Sequence, residues 1–511
     1  MGILDVTDLK FKYKDIDLFN NVSFHLEPKE HIVIVGENGV GKSTFMKLIS
    51  KNLIPDKGNI TWLSHITYAY LDQLLELNND ISIESYLTLP FKELYDKEKE
   101  LIKCYELLGS AYPNTYDKLT KKIDLINKEL EEGNFYAISS TISNVTNGLG
   151  LNVLDKTRLI STLSGGEKMK VYLAKMMLEE PDVLLMDEPT NFLDQDQVSF
   201  LAKYLKNFKG AFIVISHDVA FIREIADIIY ELENKQFTKY KMNYDRYLKE
   251  KEVRKESYLK EYNKEQKKIK QMEDFIAKNI VRATTTKRAQ SRRKMLEKME
   301  KLEKPKNRVS LRLNFPFSKS TGDEVLILDN LVIGYDKPLL DPISYKLMKN
   351  KKIAILGRNG VGKSTLLKTI LGNIKALGGS YKWNLSADIN YFRQEEQEFD
   401  EITPINYLRY FYHLKTDEEL RSVLAKVGIG KDLCQKKIKE LSGGERTRVR
   451  LALMTMKKSN ILVLDEPTNH LDPMTKLELF DALKEFPGTV ILVSHEKDFY
   501  DELVDDELYF Y

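Results

Sequence analysis

The stretch that decides the fold is GENGVGKST (Gly36–Thr44), which returns 321 residues later as GRNGVGKST (Gly357–Thr365). Each copy follows an apolar, β-branched run, HIVIVG or KKIAILG, and precedes an amphipathic stretch, FMKLIS or LLKTIL. This order is typical of a strand, a glycine-rich loop and a helix whose backbone N–H groups surround phosphate. Because the whole pattern occurs twice, the sequence predicts two phosphate-loop domains of the α/β class.

Three further motifs recur in the same order. They are LSGGE (Leu163–Glu167 and Leu441–Glu445), the segments VLLMDEPTNFLD and ILVLDEPTNHLD (ending at Asp194 and Asp472), and VISHD and LVSHE (with His217 and His495). These motifs repeat after 278 residues, so the first half holds 43 extra residues between its phosphate loop and LSGGE. Charged, helix-favouring stretches at 91–108 and 116–132 lie there. We expect a helical arm at about 85–135, and the alternative is a longer solvent-facing helical subdomain.

The composition of the 511 residues excludes several classes of protein. Apolar residues make up 42% and charged residues 31%, and the formal net charge is +2. Two cysteines exclude a disulfide scaffold and a multi-cysteine metal module. No apolar run approaches the roughly 18–20 residues that cross a bilayer. We therefore expect a soluble, cytoplasmic protein.

Residues 241–310 differ from the rest of the chain. They hold 23 basic and 11 acidic residues, a net charge of +12, whereas the remaining residues carry a net charge of −10. The segment has no glycine and no proline before Pro305, and apolar residues recur on one helical face. It predicts two long helices joined by a basic turn, the first of about 35 residues and about 50 Å. The expected domains are 1–240, this linker at 241–310, and 311–511.

Within each phosphate loop, two side chains carry the expected chemistry. Lys42 and Lys363 should neutralise β- and γ-phosphate oxygens, and Ser43 and Ser364 should hold Mg²⁺ through their hydroxyls. Both loops should also bind phosphate through their remaining members: Gly36, Asn38, Gly39, Gly41, Thr44, Gly357, Asn359, Gly360, Gly362 and Thr365. A purely structural glycine turn is the alternative.

Paired acidic residues follow the apolar strands DVLLM and NILVL. Asp187 and Asp465 end these strands, where a carboxylate needs a cation such as Mg²⁺ or its water. Glu188 and Glu466 come next and are placed to polarise an attacking water. The sequence therefore predicts two hydrolytic sites.

The LSGGE motif supplies a hydroxyl, two glycines and a helix start, which together form another phosphate cradle. Within one domain, LSGGE and the phosphate loop begin two different helices. LSGGE should therefore not reach the γ-phosphate of a nucleotide bound at the loop of its own domain. We therefore expect it to serve the nucleotide of the other domain. Phe192 stands where the second half has His470, and this difference leaves open whether the two sites are equivalent and which of them is favoured.

Together these motifs resemble the ATP-binding cassette ATPases, over both halves of the chain. The resemblance implies head-to-tail pairing of two cassettes. Site one would join Lys42, Ser43, Gln73, Asp187, Glu188 and His217 to Ser442, Gly443 and Gly444. Site two would join Lys363, Ser364, Gln394, Asp465, Glu466 and His495 to Ser164, Gly165 and Gly166.

The family analogy also assigns roles to individual side chains. His217 and His495 would contact the γ-phosphate as neutral donors, and Gln73 and Gln394 would join the serine and aspartate of each site around the metal. Tyr13 and Tyr335 would stack on adenine, with ordinary packing of a tyrosine near a strand as the alternative. ATP and Mg²⁺ are the implied cofactors.

Tandem cassettes without a membrane span, the arm and the basic linker narrow the resemblance to the ABC-F proteins. The segments NYDRYL (Asn243–Leu248) and RAQSRRKMLEKM (Arg288–Met299) are especially similar to that family's linker. The resemblance implies an ATPase that binds the ribosome near the exit-site and peptidyl tRNA. It also implies a monomer with intramolecular cassette pairing and without a stable transmembrane partner. General translation and protection from antibiotics both stay open.

The charge of the linker supports contact with ribosomal RNA and tRNA independently of the resemblance, because basic segments bind phosphate. The candidate phosphate contacts are Arg282, Lys287, Arg288, Arg292, Arg293 and Lys294. A solvated helix face with surplus lysines is the alternative. The ATPase subunit of a membrane transporter is the rival function.

Overall fold

The computed structural model describes residues 2–13, 16–37, 39–71, 81–108, 113–279, 291, 293–296, 299, 313–358, 360–393, 399–469 and 471–510. These residues form two α/β units of one architecture, and a long helix follows the first unit. The predicted fold class, two cassettes with a helical linker and an inserted arm, is confirmed.

The first unit contains two sheets. Its strands are β1 (Leu4–Tyr13), β2 (Ile16–Leu26), β3 (His31–Val35), β4 (Lys57–Trp62), β5 (Tyr68–Leu71), β6 (Val183–Asp187), β7 (Ala211–Ile215), β8 (Ile228–Glu233) and β9 (Gln236–Tyr240). The order β5-β6-β7-β3-β8-β9 forms the central sheet, parallel except for β9, and β2-β1-β4 forms an antiparallel sheet. Strands β6 and β7 are buried at every residue, as expected for a parallel sheet covered on both faces.

Helices cover the central sheet and build the arm. They are α1 (Lys42–Ile49), α2 (Ile83–Thr88), α3 (Lys92–Leu108), α4 (Pro113–Glu132), α5 (Ile138–Gly148), α6 (Gly165–Leu178), α7 (Gln195–Lys206) and α8 (Val219–Ile225). The arm is the hairpin of α3 and α4, which pack through Leu101, Cys104, Ile123, Ile126 and Leu130. A surface ion pair, Lys97 to Glu129 at 2.9 Å, joins the two helices. The two segments predicted as arm helices therefore do form a hairpin.

The linker begins as the helix α9 (Tyr244–Asn279), whose 36 residues extend about 54 Å. Ile269 is buried on the predicted apolar face, and Tyr262, Met272 and Ile276 are half-buried there. Tyr258, predicted on the same face, is 37% exposed. Most of the predicted basic turn and second helix lies outside the described residues, which resume the helical backbone at 291 and 293–296.

The second unit repeats the first. Its strands are β10 (Glu324–Val332), β11 (Ile343–Met348), β12 (Lys352–Gly357), β13 (Gly378–Trp383), β14 (Ile389–Phe392), β15 (Ile461–Asp465), β16 (Thr489–Val493) and β17 (Asp506–Phe510). Its helices are α10 (Lys363–Ile370), α11 (Pro404–Phe411), α12 (Asp417–Lys426), α13 (Gly443–Met456), α14 (Pro473–Glu485) and α15 (Lys497–Tyr500). The central sheet has the order β14-β15-β16-β12-β17 and is parallel throughout.

The strand order explains where the motifs meet. Strands β3, β6 and β7 are neighbours in the first unit, and β12, β15 and β16 are neighbours in the second. Because they run in parallel, their carboxyl ends share one edge of each sheet, where ligands of open α/β sheets bind. Each edge therefore brings together a glycine-rich loop, an Asp-Glu pair and a histidine.

Candidate functional site

Each glycine-rich loop runs from a buried strand into a helix. Gly41 and Gly362 precede α1 and α10 with left-handed φ angles of 107° and 115°. Such backbone is costly for any residue with a Cβ, so glycine is needed at this turn. The turn leaves the first N–H groups of each helix facing the loop, which is the geometry that binds phosphate.

The lysine of each loop is folded back over it. Lys42 Nζ donates to the carbonyls of Gly36 and Glu37 at 2.8 and 3.0 Å. Lys363 Nζ donates to the carbonyls of Gly357 and Arg358 at 2.7 and 3.0 Å. Both ammonium groups are therefore held in the concave side of the loop, where they can meet a phosphate.

Burial lowers the pKa of both lysines, and the neighbouring carboxylates oppose that shift. Glu188 and Asp187 act on Lys42, and Glu466 and Asp465 act on Lys363. A buried cation needs such partners. Each loop thus combines a lysine with two carboxylates in one small volume.

The aspartates end the strands β6 and β15 and are 2% exposed. In the second unit the Ser364 hydroxyl donates to Asp465, while burial raises the pKa of that carboxyl. The Asp465 oxygen Oδ1 is buried and has no hydrogen-bond partner among the described residues. A hydroxyl and a carboxylate with a spare buried oxygen are hard donors that fit Mg²⁺.

The glutamates that follow have an unusual backbone. Glu188 and Glu466 adopt left-handed φ angles of 52° and 50°, and their N–H groups donate to the carbonyls of Ile215 and Val493. This conformation costs about 1–3 kcal/mol in a non-glycine residue and is common at functional sites. It turns each carboxylate from the strand end towards the histidine loop.

Each glutamate contacts the histidine of its own unit. Glu188 Oε2 accepts the backbone N–H of His217 at 3.2 Å, and Glu188 Oε1 lies 3.4 Å from His217 Nε2. Glu466 Oε1 lies 3.1 Å from His495 Nε2. Burial, with Asp187 beside the first, raises the pKa of both Glu188 and Glu466 to about 8.

His495 is also close to the loop lysine, since its Nε2 lies 3.0 Å from Lys363 Nζ. Burial and the positive charges of Lys363 and Lys170 lower the pKa of His495 to about 4. The imidazole is therefore neutral at physiological pH, and its role at the γ-phosphate stays a prediction.

A cavity of about 960 Å³ lies between the two units and is lined by both. Ser164 and Gly166 of the first LSGGE motif face Gly360, Lys363 and Ser364 of the second glycine-rich loop. Glu188, His217, Glu466 and His495 line the same cavity. Six of the nine members predicted for site two therefore line one cavity: Ser164, Gly166, Lys363, Ser364, Glu466 and His495. Gly165 and Asp465 are not among its lining residues, and Gln394 lies outside the described residues.

The serine of each LSGGE motif also caps the helix that follows it. The Ser164 hydroxyl accepts the Glu167 N–H at 3.3 Å, and Glu167 accepts the Ser164 N–H at 2.7 Å. Ser442 and Glu445 repeat this capping box at 3.3 and 2.8 Å.

Lys42 and Ser442 do not line the described cavity, so it does not bring the members predicted for site one together.

Two aspartates that the motifs contain but to which no role was assigned also act across the boundary. Asp194 and Asp472 cap α7 and α14, and their negative charges act on the lysine of the opposite unit. Asp194 stabilises charged Lys363, and Asp472 stabilises charged Lys42. One sequence signal could have pointed to these two aspartates, because each ends a PTN-x-LD motif that occurs once in each half.

Several predicted site residues cannot be placed in the geometry. Asn38, Gln73, Asn359 and Gln394 lie outside the described residues, and only the backbone of Tyr13 is described. Tyr335 follows β10 and is 61% exposed. These assignments stay predictions.

The linker candidates are only partly described. Arg293 and Lys294 are exposed, and Arg282, Lys287, Arg288 and Arg292 lie outside the described residues. No helix in the described part of the chain is long and apolar enough to cross a membrane.

Comparison with known proteins places the motifs in a family. A family model described as ABC transporter matches residues 19–191 and 340–469, and a second with the same description matches 230–315. An uncharacterized ABC transporter ATP-binding protein of Bacillus subtilis, YfmM, is 39% identical over 506 residues, covering 99% of this chain and 98% of that protein. ABC transporter F family member 2 of Arabidopsis thaliana is 33% identical over 510 residues, covering 96% of this chain and 74% of that protein.

Among solved structures, one described as a model of ribosome-bound archaeal Pelota and ABCE1 is similar in fold. The match has a TM-score of 0.57 at 20% identity and covers 96% of this chain and 74% of that one. It supports the arrangement of two cassettes in one chain.

Proposed function

The chain belongs to the ABC-F family of tandem ATP-binding cassette proteins, and on that premise we propose that it couples ATP hydrolysis to ribosome binding in translation. It is an ATPase, with ATP as its substrate and Mg²⁺ as its cofactor. The observation that carries the proposal is the shared cavity, where LSGGE of one cassette faces the phosphate loop of the other. ATP bound there would contact both cassettes and favour their closed arrangement.

The proposed roles follow from the geometry of each strand end. Lys42 and Lys363 neutralise the phosphates, while Glu188 and Glu466 orient and polarise water. Ser364 and Asp465 would hold Mg²⁺, which supplies positive charge against the phosphate oxygens. His495, neutral and beside Glu466, would donate to the γ-phosphate.

The linker helix α9 is attached to the first cassette close to the glycine-rich loop, where ATP would bind. Leu232 of β8 packs against the glycine-rich loop, since its carbonyl would lie 2.7 Å from a Cβ at Gly36. The preceding residue, Glu231, is 4% exposed and pairs with Lys251 of α9. Glu231 Oε2 also accepts the Tyr240 hydroxyl at 3.3 Å. A movement of the first cassette would therefore carry α9 with it.

The charge of the linker indicates the class of partner. Most of its net charge of +12 lies in residues 280–310, after the end of α9, where the sequence has 11 basic and 3 acidic residues. A basic segment that follows a long helix suits the phosphate backbone of structured RNA, which is bound by shape and charge. We therefore propose ribosomal RNA and tRNA near the exit site and peptidyl tRNA as the contacts, in the cytoplasm.

The first test is ribosome co-sedimentation of the Glu188→Gln/Glu466→Gln variant with ATP and with ADP, over a salt series. This variant should bind ATP without turnover and should pellet with ribosomes in ATP but not in ADP. The fraction bound should fall steeply as salt rises, because phosphate contacts release counterions. Failure to pellet in ATP at any salt would overturn the proposal, and recovery with membranes would instead favour a transporter subunit.

A second test locates the RNA contact. Reversing charge at Arg292 and Arg293 should weaken pelleting, whereas the matched reversal Lys255→Glu/Lys260→Glu on α9, where both lysines are exposed, should not. Equal loss in both variants would argue against residues 280–310 as the contact.

Protection of the ribosome from antibiotics is the finer form of the proposal. It is tested by the susceptibility of a strain that expresses the wild-type chain or the double glutamine variant. Protection that requires both glutamates would establish it, and equal susceptibility would leave general translation as the function.

A further inference from the structure

The loop between Glu188 and Asp194 carries a side chain that the matching loop of the second cassette lacks. Its sequence, EPTNFLD, differs from the EPTNHLD of the second cassette at one position, where Phe192 stands in place of His470. Both loops have the same two turn bonds, at 3.3 and 3.1 Å: the fourth residue donates to the carbonyl of the first, and the sixth donates to the carbonyl of the third. The two loops therefore differ by one side chain on a common set of turn bonds.

Phe192 packs against the LSGGE motif of its own cassette. A Cβ on Gly166 would lie 3.6 Å from Cδ1 of the Phe192 ring and 3.8 Å from the Phe192 Cβ, which is ordinary van der Waals contact. A Cβ on Gly165 would have no described neighbour within 4 Å. Phe192, which is 37% exposed, therefore covers the second glycine of the motif.

The second cassette connects the same two elements in another way. The Thr447 hydroxyl of α13 is within hydrogen-bond distance of the Asn469 carbonyl, at 3.4 Å, and of the Gly443 carbonyl one turn earlier, at 3.0 Å. In the first cassette Met169 stands at the position of Thr447, and its side chain packs against the apolar core. The loop is thus in contact with LSGGE through the Phe192 ring in the first cassette and through a hydroxyl in the second.

The covered glycine lies at the boundary with the other cassette. Phe192, Gly166 and Ser164 line the shared cavity together with Gly360 and Lys363 of the second phosphate loop. Glycine has more backbone freedom than any other residue, so a neighbour that packs on it limits the conformations that LSGGE can adopt. The ring is therefore placed to order the part of site two that the first cassette supplies.

We propose that Phe192 is a positioning residue for the ATP bound at site two. Its ring would hold the LSGGE backbone towards a nucleotide on the second phosphate loop, and so reduce the entropy that is lost when ATP binds. This role rests on the proposed function, because LSGGE must contact the nucleotide. LSGGE touches bound ATP before as well as during hydrolysis, so loss of the ring should raise the half-saturating ATP concentration more than it lowers the maximal rate.

The experiment measures the two sites separately. The first turnover of ATP per chain is followed over a range of ATP concentrations in the Glu188→Gln background, where site two keeps its glutamate. We expect Phe192→Ala to raise the half-saturating concentration about fivefold, the scale of one aromatic contact, with the maximal rate lowered less than twofold. In the Glu466→Gln background, which reports site one, both quantities should change less than twofold.

Further variants separate positioning from general packing. Phe192→Leu keeps an apolar side chain beside Gly166 and should restore most of the affinity for ATP. Adding Met169→Thr to Phe192→Ala supplies the hydroxyl that the second cassette has and should recover part of the loss. Tyr136→Ala, at a residue of the first cassette that is 72% exposed and does not line the cavity, is the matched control and should behave as its parent.

Four results would overturn the proposal: an equal rise of half-saturation in both backgrounds, no rise in either, a rise confined to Glu466→Gln, or a lower maximal rate at unchanged half-saturation. If Phe192→Ala fails to fold, Phe192→His, the residue of the second cassette, is measured in its place, and a rise in the same direction is expected. A wild-type chain that hydrolyses no ATP would instead contradict the proposed function, which keeps the two failures distinct.

Discussion

The first and second cassettes carry the same chemical groups on the same strand ends but differ in what surrounds them. Both loops fold a lysine over two carbonyls, and both glutamates have φ angles near 50°. Within the described residues, the arm and the ion pair to α9 belong to the first cassette, and the ion pair of Lys476 with Glu496 beside the shared cavity belongs to the second. The repeated parts are those that hydrolysis needs, so the differences mark where the two sites have separate tasks.

The largest expected effect tests the shared chemistry. Replacing both Glu188 and Glu466 by Gln should lower steady-state ATP hydrolysis by about 10²- to 10⁴-fold, because a positioned base is lost at both sites. Phosphate release measures this. If the sites are equivalent, each single variant should retain an equal share, and unequal single variants would establish the difference between the cassettes. A double variant with normal turnover would exclude both glutamates from the chemistry.

Much of this comparison was predictable from the motifs. Each phosphate loop, Asp-Glu pair and histidine lies within ten residues of an apolar strand, and parallel strands bring their ends together without further information. The length of α9 followed from the absence of glycine and proline. Lys476 was not predicted, because no motif includes it and its position depends on how two distant halves pack. Aligning the halves at their 278-residue spacing would have exposed the contrast with Val198, which stands at that position in the first half.

The raised pKa values of the glutamates also required the structure. Glu188 and Glu466 follow buried strands, but sequence does not show that a second cassette closes over them. The described residues likewise do not include Gln73 or Gln394, so their role at the metal stays a prediction. The sequence thus predicts which site residues lie at the ends of strands and helices, whereas the burial of those residues depends on how the two cassettes pack.

The second prediction tests the fastening of α9, which distinguishes the first cassette. Lys251→Met leaves the buried Glu231 carboxylate without its cation, at a cost of about 1–3 kcal/mol in the free energy of unfolding. Thermal or denaturant unfolding measures it. Lys255→Met, one turn further along α9 and exposed, is the control and should change stability by less than about 0.5 kcal/mol. Equal effects would show that the ion pair does not fasten the helix.

The third prediction uses pH at the same place. Burial raises the pKa of Tyr244 and Tyr247, which pack at the start of α9, above the ordinary value of about 10. Their neutral forms therefore stabilise the fold below pH 10, and this contribution is lost as pH rises above 10. Each such tyrosine removes up to about 1.4 kcal/mol per pH unit.

Unfolding midpoints at pH 9, 10 and 11 should fall less steeply in Tyr247→Phe than in the wild type. Tyr410→Phe, at a ring that is 68% exposed in the second cassette, should follow the wild type. Parallel curves for all three proteins would contradict the assignment to Tyr247.

The smallest expected effect compares the two loop glycines. Gly41→Ala and Gly362→Ala impose the same left-handed backbone on a residue with a Cβ, at about 1–2 kcal/mol each. Their surroundings differ, because the new Cβ would lie 3.2 Å from the Phe19 ring in the first cassette but 3.5 Å from Ile333 and Leu339 in the second. Phe19 is 2% exposed and has little room to move, so Gly41→Ala should be less stable than Gly362→Ala by a few tenths of a kcal/mol up to about 1 kcal/mol. Denaturant unfolding of the two variants measures the difference. A larger loss of stability for Gly362→Ala would contradict this expectation. It would show that Phe19, which lies on the antiparallel sheet of the first cassette, shifts more easily than its aromatic packing implies.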